Sequence, residues 1–128
     1  MIKFNKFLKV VFHFINFILI LLYLYPGSIF GYIFYRDLTK QPQITQDFFN
    51  ISTNHFYAFV FLSIIGFLAY FKDEKFKYLI RYLFFSSVIL ELSHNIIPGR
   101  VFQLDDLLGN FFGVFLVYLL YNIRKKYE

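Results

Sequence analysis

Residues 91–113 read ELSHNIIPGRVFQLDDLLGNFFG, and this stretch decides how the rest of the chain is organised. Glu91 and His94 end one apolar run, the turn Pro98-Gly99-Arg100 follows, and Asp105, Asp106 and Asn110 open the next apolar run. Ionisable side chains at the ends of such runs are costly to place in hydrocarbon. They mark either a functional site or an internal polar staple.

Working outward, the composition names the solvent. The chain of 128 residues is 59% hydrophobic and 16% charged, with a mean hydropathy of +0.56. That is the balance of a single membrane domain, residues 1–128, and not of a soluble globule. Aromatic residues make up 25%, supplied by 21 Phe and 11 Tyr without Trp. The accompanying excess of Ile, Lys and Asn fits an AT-rich coding sequence, so no aromatic binding box is read into it. The formal charge of +5 sits in short clusters flanking apolar runs and not along one polar face, which argues against nucleic acid as a partner. With no cysteine, disulfides, thiolate metal sites and Cys nucleophiles are excluded.

The apolar runs predict an all-α, four-helix transmembrane bundle with spans at about 7–25, 55–71, 78–97 and 107–123. Pro26-Gly27 closes the first. A secretory signal is the competing reading of that segment, because Lys3, Lys6 and Lys9 form a basic start. Its apolar core is longer than a signal requires and no small-x-small cleavage site follows, so a span is expected. The other three are 17 to 20 residues long, near the short end of what crosses about 30 Å of hydrocarbon. Residues 26–54 form the one long connection, and SIFGYIFY at 28–35 fits either an interfacial helix or a re-entrant piece.

Charge predicts the orientation. Lys3, Lys6, Lys9, Lys72, Lys75, Lys77, Arg81, Arg124, Lys125 and Lys126 fall at the termini and second loop, against Arg36, Lys40 and Arg100 in the first and third loops. Ten against three puts both termini in the cytoplasm. His55, Glu91, His94, Arg100, Asp105, Asp106 and Asn110 then share the outer leaflet as a polar funnel. Helical spacing puts Ser87, Glu91 and His94 on one face and Asp106, Asn110, Gly113 and Val117 on another, so the two faces can meet. Gly109 and Gly113 form a Gly-x-x-x-Gly pair suited to close helix packing. In the first span, His13 and Asn16 share a face and read as interhelical hydrogen-bond contacts.

The series Glu91, His94, Arg100, Phe102, Asp106, Asn110, Gly113 resembles the signature of VanZ-like membrane proteins: Glu, Gln three on, Arg six further, Phe, then Asp, Asn and Gly at steps of six, four and three. His94 stands where the family has Gln. His55-Phe56 matches the family's His-Phe at the start of span two, while Ile51 and Ser52 replace its Asp-Lys and Val117 replaces a second Gly. The resemblance covers about residues 51–120. It implies a multi-pass protein of the bacterial cytoplasmic membrane. The family takes its name from a protein linked to low-level resistance to teicoplanin, a glycopeptide that binds cell-wall precursors in the envelope.

Three accounts of the polar residues follow. In the first, His55, Glu91, His94, Arg100, Asp106 and Asn110 bind or modulate a polar envelope ligand such as a lipid head group, a cell-wall precursor or a glycopeptide. Arg100 would grip phosphate or carboxylate as a bidentate fork, and Glu91, Asp106 and Asn110 would accept amide or hydroxyl donors. In the second, the His and carboxylate residues serve a small hydrolase or transferase. No His-Glu-x-x-His, Gly-x-Ser-x-Gly or phosphate loop is present, so binding is favoured over catalysis, and no metal or cofactor is assigned. In the third, the residues form a hydrogen-bonded network that only fixes helix packing. Membrane lipids are the expected partners besides the envelope ligand. A transport role through four short spans would require a homo-oligomer.

Overall fold

The computed structural model describes residues 2–127. The protein is all-helical: α1 Ile2–Leu24, α2 Ile29–Tyr35, α3 Thr53–Ala69, α4 Phe76–Leu92 and α5 Leu104–Tyr127, with a 3-10 turn at Ser93–Asn95. The described residues contain no strand, only an isolated bridge between Phe48 and Ile51.

Among the described residues two helices are long and apolar enough to cross a membrane, Phe4–Leu24 and Leu104–Tyr127. α3 and α4 have 17 residues each, which at 1.5 Å per residue is about 25 Å, the lower limit for a span. The expected third span, 78–97, is shorter than its apolar run. α4 stops at Leu92 and the chain tightens into the 3-10 turn, where Ser93 Oγ bonds the Leu90 carbonyl at 2.5 Å. At the other end of the bundle α5 continues to Tyr127, past the expected limit at 123, with Arg124, Lys125 and Lys126 in its last turn, where cations suit the helix dipole.

Within 26–54 residues Ile29–Tyr35 form the short helix α2. Ser28 caps it by accepting from the Gly31 N–H at 2.9 Å, and Arg36 ends it in the left-handed conformation at φ 55°. Beyond it the loop is pinned to α3: Asn54 donates to the Pro42 carbonyl at 2.7 Å and accepts from Ile44 N at 2.9 Å. Thr53 Oγ1 donates to the Thr45 carbonyl at 2.8 Å.

α3 is the central helix, packed most extensively on α5 and next on α1, while α4 lies against α5. Gly109 and Gly113 make the α3–α5 approach. A Cβ on Gly109 would come within 2.5 Å of the Ser52 carbonyl oxygen, and one on Gly113 within 2.7 Å of that of Phe56. The core runs through Phe12, Phe59, Leu62, Leu83 and Val114, none more than 2% exposed. Opposite it, Phe4, Phe7, Val10, Phe14 and Phe17 make an exposed apolar stripe along α1.

At the end that holds the Lys-rich second loop, α1 is tied to its neighbours by polar contacts. Lys9 pairs with Asp73, His13 Nε2 meets the Tyr70 hydroxyl at 2.9 Å, and Tyr82 donates to Asn16 Oδ1 at 2.8 Å. His13 and Asn16 are interhelical contacts. Lys9 takes the Asp73 carboxyl below its ordinary range, chiefly through their side-chain hydrogen bond.

Candidate functional site

The end of α1, the start of α3, the end of α4 and the start of α5 converge at the opposite end of the bundle. They bring Tyr23, His55, Glu91, His94, Asp106 and Asn110 into one cluster. Glu91 and Asn110 are fully buried, His94, His55 and Tyr23 nearly so, and Asp106 is partly open.

The tie between α4 and α5 is Asn110, whose amide donates to the Ser87 carbonyl at 3.2 Å. That bond orients the amide, so Oδ1 faces the Tyr23 hydroxyl and His55 Nδ1, the latter at 3.1 Å. Tyr23 donates to Asn110 Oδ1, and its oxygen lies 2.8 Å from His55 Nδ1. The network therefore places a proton on His55 Nδ1 and leaves Nε2, 3.6 Å from Asp106 Oδ2, as the nitrogen with a free lone pair.

Glu91 is used asymmetrically. Its Oε1 meets His94 Nδ1 and the Gln103 backbone N–H, both at 3.1 Å. Its Oε2 is buried, has no hydrogen-bond partner, and lies 3.9 Å from His55 Nδ1. His94 Nε2 donates to the Tyr23 carbonyl at 3.0 Å. With that nitrogen protonated, the His94–Glu91 contact holds a further proton, on the imidazole or on the carboxyl. The expected i, i+3 pairing of these two residues occurs with His94 on the 3-10 turn, not on the helix that carries Glu91.

Arg100 is anchored on the end of α1. Nε donates to the Tyr25 carbonyl at 3.0 Å and Nη2 to the Leu22 carbonyl at 2.6 Å, so this edge of the guanidinium fork caps the C-terminus of α1. The reason is local. The last carbonyls of a helix have no partner within it, and Pro26-Gly27 stops the chain from supplying one. Partial burial lowers the Arg100 pKa from its ordinary value, against the opposing pull of Glu91, and the group stays cationic beside the acidic cluster.

A cavity of 480 Å³ adjoins the cluster. Leu19, Leu22, Phe30, Phe34 and Ile44 contribute apolar wall, while Tyr23, His55, His94 and Arg100 contribute polar groups. Of the expected site residues, His55, His94 and Arg100 therefore reach this cavity, whereas Glu91 and Asn110 lie behind it and Asp106 opens beside His55. Asp105 stays outside the cluster. It is exposed, and its backbone carbonyl accepts from Ser52 N at 3.0 Å.

Sequence reasoning missed Tyr23. One Tyr among 11, in the last turn of an apolar run, carries no signal that separates it from an interfacial anchor. The loop residues that line the cavity, Pro42 and Ile44, are equally silent in the sequence.

The chain matches no protein-family model, no curated protein and no solved structure.

Proposed function

We propose that the protein is a multi-pass protein of the bacterial cytoplasmic membrane, similar to VanZ-like proteins, that holds a polar envelope ligand in its outer leaflet. α1, α3, α4 and α5 serve as the four spans, with both termini inside. The exposed apolar stripe on α1 supports lipid as its surroundings, and the distribution of Lys and Arg supports the orientation.

The observation that carries the ligand reading is the cavity of 480 Å³, whose apolar wall meets a polar floor of His55 and His94 with cationic Arg100 at its edge. That lining suits an amphiphile with an anionic or hydrogen-bonding head, the chemistry shared by a lipid head group and a lipid-linked wall precursor.

The test fills the cavity. Ala58 lines it and is partly buried, so Ala58→Phe occupies the space from a central helix. Phosphatidylglycerol, a polyprenyl-phosphate-linked wall precursor and teicoplanin are titrated against the detergent-solubilised protein by native mass spectrometry. The wild type binds at least one of them saturably and the variant binds it at least tenfold more weakly. Absence of saturable binding to the wild type, or equal binding to the variant, rejects this reading.

A further inference from the structure

The cluster contains an arrangement that a ligand in the cavity does not explain. His55, Glu91 and Asp106 each place one donor atom so that the three lie within 4.8 Å of one another. They come from three different helices, α3, α4 and α5. Two of the donors are carboxylate oxygens that flank the His55 ring, Glu91 on its Nδ1 side and Asp106 on its Nε2 side. Glu91 Oε2 is fully buried and has no hydrogen-bond partner. Asp106 Oδ2 faces the lone pair of His55 Nε2 at 3.6 Å, an acceptor opposed to an acceptor once Nδ1 carries the proton.

Such a site calls for positive charge between the donors. Arg100 adds charge nearby, but its Nε and Nη2 are engaged by the carbonyls of α1. The groups behind His55 already have the form of an outer coordination shell. Asn110, held by the Ser87 carbonyl, and the Tyr23 hydroxyl together fix the imidazole orientation and its tautomer, as the partners of metal-bound histidines do.

We propose that His55, Glu91 and Asp106 bind one divalent transition-metal ion of the Zn²⁺ type. One nitrogen and two oxygen donors suit Zn²⁺, Mn²⁺ or Co²⁺, whereas Mg²⁺ and Ca²⁺ take oxygen ligands in larger number. Three protein ligands leave a coordination position open, on the side where His55 borders the cavity. The two carboxylates neutralise the ion's charge, with Glu91 fully buried and Asp106 partly open. This inference goes beyond the ligand reading and does not depend on it, since it concerns the ion alone.

The test uses the full chain without a polyhistidine tag, stripped with a chelator in detergent and titrated separately with Co²⁺ and Zn²⁺. The wild type takes up one equivalent, develops visible Co²⁺ ligand-field bands and unfolds at a higher temperature with metal than without. Asp106→Asn and Glu91→Gln each weaken binding by about tenfold or more and lose the bands, judged against the 10- to 100-fold effects seen even for outer-shell partners. Asp106 is at the open edge of the site, so Asp106→Asn keeps the test decisive if Glu91→Gln does not fold. His13→Gln at the opposite end leaves binding unchanged. Absence of saturable uptake by the wild type, or equal uptake by wild type and Asp106→Asn, overturns the proposal and leaves a cluster held by protons. Because none of the three ligands of the cavity experiment is added, either result is separate from its outcome.

Discussion

His94 holds the end of α1 in two ways at once: its Nε2 donates to the Tyr23 carbonyl at 3.0 Å, and its ring stacks on the Tyr23 ring with centroids 5.7 Å apart. The same imidazole contacts Glu91 through Nδ1. His94→Gln retains a donor for the carbonyl but not the stacked ring, and His94→Ala loses both. We expect losses of about 1 kcal/mol for the first and about 2–3 kcal/mol for the second, read as chemical unfolding in detergent. Equal losses would mean that the hydrogen bond to the Tyr23 carbonyl adds nothing to the stacked ring, and no loss in His94→Gln would mean that the ring is idle.

Arg100 caps α1 with two donors separated along its fork, a geometry that a lysine ammonium does not reproduce. Arg100→Lys should therefore destabilise the fold by about 1–2 kcal/mol even without any ligand. Thermal unfolding of the two proteins checks this, and indistinguishable midpoints would show that the cap is energetically idle.

The α3–α5 contact depends on two glycines whose added Cβ atoms would meet backbone oxygens of α3. Backbone on a packed helix does not yield as a side chain does. Gly109→Ala and Gly113→Ala should each cost about 1–3 kcal/mol, while Ala at Gly99, in the turn between α4 and α5, acts through its φ of 75° and not through contact. Unfolding free energies of the three variants measure the difference.

Glu91→Gln keeps the acceptor that serves His94 and Gln103 and removes the charge associated with an unpartnered Oε2. In metal-free protein the variant should be as stable as the wild type or more so, as expected where a charge is kept for a site against stability. A loss of about 3–5 kcal/mol would instead show the carboxylate paired with an imidazolium.

Stability at the opposite end has an acid limb set by Asp73. Its folded pKa lies below its ordinary value because Lys9 donates to it. A depressed carboxyl contributes stability that is present above the unfolded pKa and is lost as pH falls through the folded one. The melting temperature should therefore drop across that acid window, and Asp73→Asn should flatten the drop. An unchanged slope in the variant would assign the acid sensitivity to other groups.

Much of this protein is legible in residues 91–113 and the apolar runs around them. The helices at about 7–25, 55–71 and 107–123 correspond to α1, α3 and α5, with ends shifted by a few residues, because long apolar stretches interrupted by Pro-Gly and charged turns leave few alternatives. The spacing of Asp106, Asn110 and Gly113 likewise defines one face of a helix without any coordinates. Where α4 ends is less legible, since Pro98 is the first breaker after Leu92 and the 3-10 turn at Ser93–Asn95 precedes it.

What the tertiary structure alone decided is which polar groups meet. Sequence treats Arg100 as a ligand clamp and Tyr23 as one aromatic among many. Packing α1 beside α3 turns Arg100 onto the carbonyls of Leu22 and Tyr25 and sets Tyr23 against His55 and Asn110. Three donors separated by 36 and 15 residues along the chain, His55, Glu91 and Asp106, come within 4.8 Å of one another only after three helices have docked. Helical periodicity is local and can be read along the chain. The pairing of helix ends is set by close packing between distant segments, and no spacing within one segment encodes it.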